Sequence, residues 1–304
     1  MNDLFRIPLG AVVESIVEFV IDVFGWLFDA ISTAIRGAFD GLDWLLTAPP
    51  FWAVIIVFAA LAWWAKGAWL AVGTAVGLLV IVGVDQWANA MDTLALVLVA
   101  AVIAIAISVP LGIWAARNDR VSAVLRPVLD FLQTMPAFVY LIPALIVFSV
   151  GPVPGIVSTI VFALAPGVRL TELGIRSVDA EVVEAGHAFG ATPGRILRQI
   201  QLPLAMPSIM AGVNQVIMLS LSMVVIAGLV GAGGLGGAVV QSLQRIDIAL
   251  GAEAGVSVVI LAIILDRLTS ALATRSADGG ARARIARATT RTTEHRSTAP
   301  VAAV

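Results

Sequence analysis

Few residues in this chain can do more than pack, and the densest group of them lies at 184–203, EAGHAFGATPGRILRQIQLP. Glu184, His187, Arg195 and Arg198 fall there between apolar runs. These types do not suit covalent or metal chemistry. His187 has no second ligand at coordinating spacing, the other histidine is His295 in the polar tail, and the chain has no cysteine. Thiolate and disulfide chemistry are therefore excluded, and no metal site is expected. The stretch suits a contact surface instead. Glu184 offers a charge to a partner or pins a turn, while Ala185, Gly186 and Gly190 leave room for another backbone to approach. Asp179 is placed to cap a helix that stops at Gly190. Thr192 is placed to cap a second helix with Pro193 at its first position. Two short helices at an angle, followed by Ala191 at their joint and by the closing Ile200, Leu202 and Pro203, predict a protruding knob.

The elements that carry this knob are membrane elements. Hydrophobic residues make up 60% of the chain and charged ones 12%, against about half and a quarter in soluble domains. Crossing the hydrocarbon takes about 20 mostly apolar residues as a helix. Seven candidate spans follow: 50–65, 67–84, 92–115, 124–150, 154–173, 204–230 and 252–272. The first two share only a tight joint at Lys66 and read either as two spans or as one re-entrant pair. Arg117, Arg120 and Arg126 follow the third span, Arg176, Arg195 and Arg198 the fifth, and Arg275, Arg282, Arg284, Arg287, Arg291 and Arg296 the seventh. Asp85, Asp92, Asp247 and Glu253 mark the opposite ends. Basic loops stay in the cytoplasm, which predicts an outside N-terminus and a cytoplasmic C-terminus.

The chain divides into residues 1–48, a pair of spans within 49–89, a core at 90–272 containing the polar loop at 176–203, and a polar tail at 273–304. In the first part, Glu14, Glu18, Asp22, Asp29, Arg36 and Asp40 share one helical face, and apolar residues cover much of the rest. This predicts an amphipathic helix, either lying on the outer membrane surface or packed against the protein's own spans. The tail reads as disordered.

Polar groups inside a membrane are costly and mark function or interhelical hydrogen bonds. The candidates for a path across the membrane are Gln133, Thr134, Pro136, Phe138 and Tyr140 in the fourth span, and Asn214, Gln215 and Met223 in the sixth. Pro136, Pro143 and Pro166 are expected to bend their helices. Arg169 and Glu172, a turn apart, are placed to pair with each other. Gly231, Gly233 and Gly236 satisfy G-x-G-x-x-G but follow a span rather than a strand, so a dinucleotide site is rejected in favour of an external turn. With Lys66 the only lysine, there is no phosphate-binding P-loop.

Residues 184–203 resemble the EAA motif of ABC importer membrane subunits, E-A-A-x3-G-x9-I-x-L-P, with Gly186 where alanine is usual. Residues 130–151, 162–178, 201–215, 221–236 and 258–269 resemble the permease of the glycine betaine/proline importers. The resemblance implies an all-helical polytopic permease without enzymatic activity, paired as a homodimer. It implies an ATPase partner that binds ATP and Mg and receives the loop, and an outer solute-binding protein that delivers the cargo. This chain itself holds no cofactor on that reading. The same architecture fits choline, carnitine or another amino acid derivative. An ion-coupled secondary transporter is the alternative of a different class; it predicts inverted repeats and midplane charges, and neither stands out.

Overall fold

The computed structural model describes residues 9–271, and every element among them is helical. The tail reading at 273–304 lies outside the described residues. The helices are α1 Leu9–Thr47, α2 Phe51–Lys66, α3 Ala68–Gly83, α4 Trp87–Arg117, α5 Asp119–Thr134, α6 Ala137–Phe148, α7 Pro152–Arg176, α8 Ala180–Ala188, α9 Pro193–Ile196, α10 Leu202–Gly228, α11 Gly234–Arg245 and α12 Ile248–Ala271. A five-residue π turn at 197–201 joins α9 to α10, so Pro193–Gly228 is one rod of 36 residues.

Four of these elements are long and apolar enough to cross a membrane: α4, α7, the Pro193–Gly228 rod and α12. They answer to the spans expected at 92–115, 154–173, 204–230 and 252–272. The expected span at 124–150 is not one helix. It breaks into α5 and α6 with a bend of 98°. Pro136 is the cause, because its ring drives the preceding residue out of the helical region. Met135 and Pro136 sit at ψ 135° and 140° accordingly. The Tyr140 hydroxyl donates to the Leu132 carbonyl across this bend, so the only tyrosine of the chain holds the two arms together. Helices α2 and α3 have 16 residues each. At about 1.5 Å per residue each is about 24 Å long, short of the roughly 30 Å of hydrocarbon. They pack on one another about Gly67, whose φ is +96°. Helices α1 and α2 meet at 100° and qualify as a span only together, giving four to six candidate spans where the sequence suggested seven.

The core is built around α7, which lies between α4 and α10 and touches both along its length. Small residues permit this. A methyl group added to Gly112 of α4 would fall 2.5 Å from Cβ of Thr171 on α7. One added to Gly167 would fall 2.4 Å from Oγ of Ser108 on α4, and one added to Gly174 would fall 2.7 Å from Cβ of Ser208 on α10. Both seams use the small-x-x-x-small spacing that lets membrane helices approach backbone to backbone. Pro166 is accommodated inside α7, which continues past it to Arg176.

Helix α1 divides along its length. Ile35 and Leu46 are buried in the main core, and the Phe28 ring meets Phe148 of α6 edge-on at 5.8 Å. Ile16, Phe19 and Trp26, nearer its start, are exposed.

The seams make a direct prediction. Gly112→Val forces a β-branched side chain into contact with Thr171 and is expected to destabilise the protein by about 1–3 kcal/mol. This is read as a lower thermal unfolding midpoint in detergent. Gly73→Ala, whose added methyl meets nothing within 4 Å, is expected to leave the midpoint unchanged. Equal effects from the two would contradict this packing.

Candidate functional site

The polar loop is held between α7 and the long rod. Helix α8 starts where the Asp179 carboxylate accepts the Glu181 amide at 2.9 Å. It ends in a Schellman motif: the Gly190 amide donates to the His187 carbonyl at 2.9 Å and the Ala191 amide to the Gly186 carbonyl at 3.1 Å. This closure needs a left-handed residue, and Gly190 supplies it at φ +74°. Thr192 occupies the next N-cap position with Pro193 following, but its hydroxyl makes no cap hydrogen bond.

The second short helix is not separate. It is the first turn of the rod that becomes α10. The π turn bears on how that continuity survives Pro203. A proline there cannot donate to the preceding turn and its ring crowds a carbonyl. The widened turn, in which the Leu202 amide bonds Leu197, relieves the clash without ending the helix.

Gly186 faces inward. It is buried, and a methyl on it would meet the Ile200 side chain at 2.8 Å and Ile196 at 3.4 Å. Its small size therefore serves α8 against the rod rather than an outside partner. Ile200 is half-buried in that contact. Leu202 packs on a buried cluster of Ile175, Leu197, Ala205 and Ile209 that roots the knob between α7 and α10. Glu184, Ala185, Gly190, Pro193 and Pro203 are exposed, and Ala191 is half-buried.

The surface carries one residue that the sequence reading passed over. Phe189 is 92% exposed at the tip, beside Gly190. The available signal was a large aromatic directly before a helix-stopping glycine, in a stretch of otherwise small and polar residues. Arg117 joins Arg195 and Arg198 around a hollow at the base of the rod.

The described basic residues gather at this end. Arg176 reaches the Ala115 carbonyl at 2.8 Å and Asp119 at 2.8 Å, which places the ends of α4 and α7 together. At the opposite end the Leu235 amide donates to the Thr93 hydroxyl at 2.8 Å, and the Gly151 amide to the Val230 carbonyl at 3.0 Å. The glycine run at 231–236 is a tight turn only as far as Gly233; Gly234 and Gly236 already belong to the first turn of α11, with Gly236 against the Val224 carbonyl. Arg36 and Arg245 are basic exceptions on that side.

The candidate path residues do not form one group. Gln133 and Thr134 are exposed at the α5–α6 bend beside Pro136, and the Thr134 hydroxyl donates to the Phe131 carbonyl at 3.1 Å. Phe138 is 53% exposed, whereas Tyr140 is buried against Phe162. Gln215 is exposed and Met223 fully buried. Asn214 bridges two helices: its amide donates to Asp266 at 3.1 Å and accepts from the Thr269 hydroxyl at 2.6 Å, both on α12. Arg169 and Glu172 do not pair with each other. Arg169 pairs with Asp130 of α5, and Glu172 pairs with Arg126 of α5 and, one turn further along α7, with Arg176.

Residues 108–277 match the family described as binding-protein-dependent transport system inner membrane component. The chain is 48% identical over 276 residues to the glycine betaine/proline betaine transport system permease protein ProW of Escherichia coli, covering 91% of this chain and 78% of that one. It is 45% identical to the glycine betaine transport system permease protein OpuAB of Bacillus subtilis, covering 88% and 95%. It is 46% identical to the glycine betaine/carnitine transport permease protein GbuB of Listeria monocytogenes, covering 89% and 97%. Among solved structures, an inward-facing MetNI methionine ABC transporter superposes with a TM-score of 0.56 at 23% identity, covering 60% of this chain and 92% of that one. That level of identity speaks to the fold. The chain is a multi-pass inner-membrane protein, and it belongs to the family of binding-protein-dependent transport system inner membrane components, the permease subunits of ABC importers.

Proposed function

We propose that this permease imports glycine betaine-type compatible solutes, with the knob at 176–203 as its coupling surface to an ATPase subunit. The relatives named for glycine betaine transport, matched over nearly the whole chain, support the solute class most strongly. Two copies form the path, a binding protein delivers solute on the outer side, and ATP and Mg are held by the ATPase. The arginine-rich end is cytoplasmic, the N-terminus is outside and the C-terminus inside. In this mechanism the closing ATPases draw the two knobs together, the rods tilt, and the path opens outward. Hydrolysis returns it inward. The permease contributes force transmission and a path, not covalent chemistry.

The exposed Phe189 fits the anchor that such a contact needs, since interface energy concentrates in a few aromatic residues that enter pockets. The exposed Glu184 charge on α8 sets orientation more than strength. Gln133, Thr134, Phe138 and Gln215, exposed in the single chain, are proposed to face the path, with Pro136 and Tyr140 shaping the bend. Asn214 and Met223 support the walls.

Two predictions follow from the knob. Phe189→Ala is expected to weaken retention of the ATPase subunit by more than about tenfold, a loss of roughly 2 kcal/mol in the range of interface anchors. Pull-down of the tagged permease against a titration of ATPase measures it, and unchanged retention would remove the anchor role. Gly190→Trp places a side chain at φ +74°, where L-residues are strained by about 1–2 kcal/mol. That variant is expected to remain in the membrane and lose uptake; normal uptake would count against the coupling role. The solute is tested separately by titrating the co-purified binding protein with glycine betaine, choline, carnitine and proline. Tightest binding of glycine betaine is expected, and preference for another of these would reassign the cargo.

A further inference from the structure

Helix α5 is strongly amphipathic and only two of its residues, Ser122 and Leu129, are buried. Its apolar attachment is small: Leu129 meets Ala165 and Val168 of α7, with Leu111, Leu125 and Leu164 around them. The rest of the attachment is charged, and it is ordered. Asp119 pairs with Arg176 at 2.8 Å, Arg126 with Glu172 at 3.4 Å, and Asp130 with Arg169. The helices run antiparallel, and the signs alternate: minus, plus, minus on α5 against plus, minus, plus on α7. Displacing α5 by one rung sets Arg126 against Arg176 and Asp130 against Glu172. Like charges at contact are repulsive, so the pattern favours the observed register over a one-rung slip.

Glu172 is the hub. It is 6% exposed and takes three donors: Ser122 Oγ at 2.6 Å, Arg126 at 3.4 Å and Arg176 Nε at 2.9 Å. Arg176 in turn donates to the last turn of α4 at Ala115. A buried carboxylate with several charged donors resists losing any one of them. α5 leads directly to the Met135–Pro136 bend, and α7 leads directly to the coupling knob.

We propose that the alternating zipper between α5 and α7, centred on Glu172, is the positioning device that carries displacement of the knob to the α5–α6 bend. The inference rests on the coupling role of the 176–203 loop. Through the zipper, α5 follows α7 as one unit, and the bend beside Gln133 and Thr134 moves when the knob moves.

The test uses the complete importer of permease, ATPase subunit and binding protein in proteoliposomes, measuring solute imported per ATP hydrolysed. Asp130→Arg and Arg169→Asp each put like charges face to face. Each is expected to lower the ratio at least about fivefold, and the double exchange to restore it to within about twofold, because coupled residues depart from additivity. The proposal is overturned by singles that keep the wild-type ratio, or by a double exchange no better than the singles. Glu172→Gln keeps the side-chain shape while removing the charge. It is expected to lower the ratio with the ATPase subunit still bound, and an unchanged ratio would overturn the hub role even where the reversals fail to fold. A wild-type permease that retains no ATPase subunit is a different failure. It removes the coupling reading itself, and the zipper's role falls with it.

Discussion

The close approach of α4, α7 and α10 is the constraint on which the remaining structure depends. Apolar lipid gives helices no hydrophobic reason to associate, so packing and interhelical hydrogen bonds must hold them. Here the contact is made with the side chains nearly removed: Gly112 and Ser108 against Thr171 and Gly167, then Gly174 against Ser208 and Ala205. Because α7 is shared by both seams, the three helices behave as one frame. The knob is seated on that frame at one end, between the end of α7 and the start of the rod. The glycine turn at 231–233 and the first turn of α11 are seated at the other, against α4 and α10.

What surrounds the frame is attached by different means. The α5–α6 pair contributes little buried apolar surface through α5 and is held by ion pairs and by the Tyr140 hydroxyl across its bend. Exposed ion pairs contribute little to stability individually, but they specify register well. A permease needs both properties. In the proposed mechanism the frame must not deform, and α5 must keep its register on α7 while the bend it leads to moves. The rod from Pro193 to Gly228 belongs to the first class, and its π turn allows Leu202-Pro203 to occur inside a helix that stays continuous. Helix α12 is tied to the middle of the rod by the hydrogen bonds of Asn214 with Asp266 and Thr269.

The parts of this arrangement legible in the sequence were those set by local chemistry. Asp179 as a cap and Gly190 as a left-handed stop require only their neighbours, and the apolar runs of α4, α7, α10 and α12 exceed the bilayer requirement. The illegible parts depend on what lies opposite. Gly186 looks like a clearance for a partner until Ile196 and Ile200 are seen against it. Arg169 and Glu172 have the spacing of an intrahelical pair, but Arg169 is taken by Asp130 of α5, and Glu172 by Arg126 of α5 and by Arg176 on its own helix. The apolar run at 124–150 hides its break because hydropathy does not register backbone direction, although Pro136 marked the place. Phe189 escaped attention because an exposed aromatic cannot be told from a buried one by type.

The central claim is that the rods turn inward motion of the knobs into outward opening of the path. The absence of cysteine makes single spin labels clean, so label pairs between the two copies of the assembled importer test it most directly. One variant carries His187→Cys on the knob and the other Leu229→Cys at the far end of the rod. On trapping the ATP-bound state, the account predicts a shorter distance between the knob labels and a longer one between the far-end labels. Knob labels that approach while the far-end distance stays fixed would contradict it.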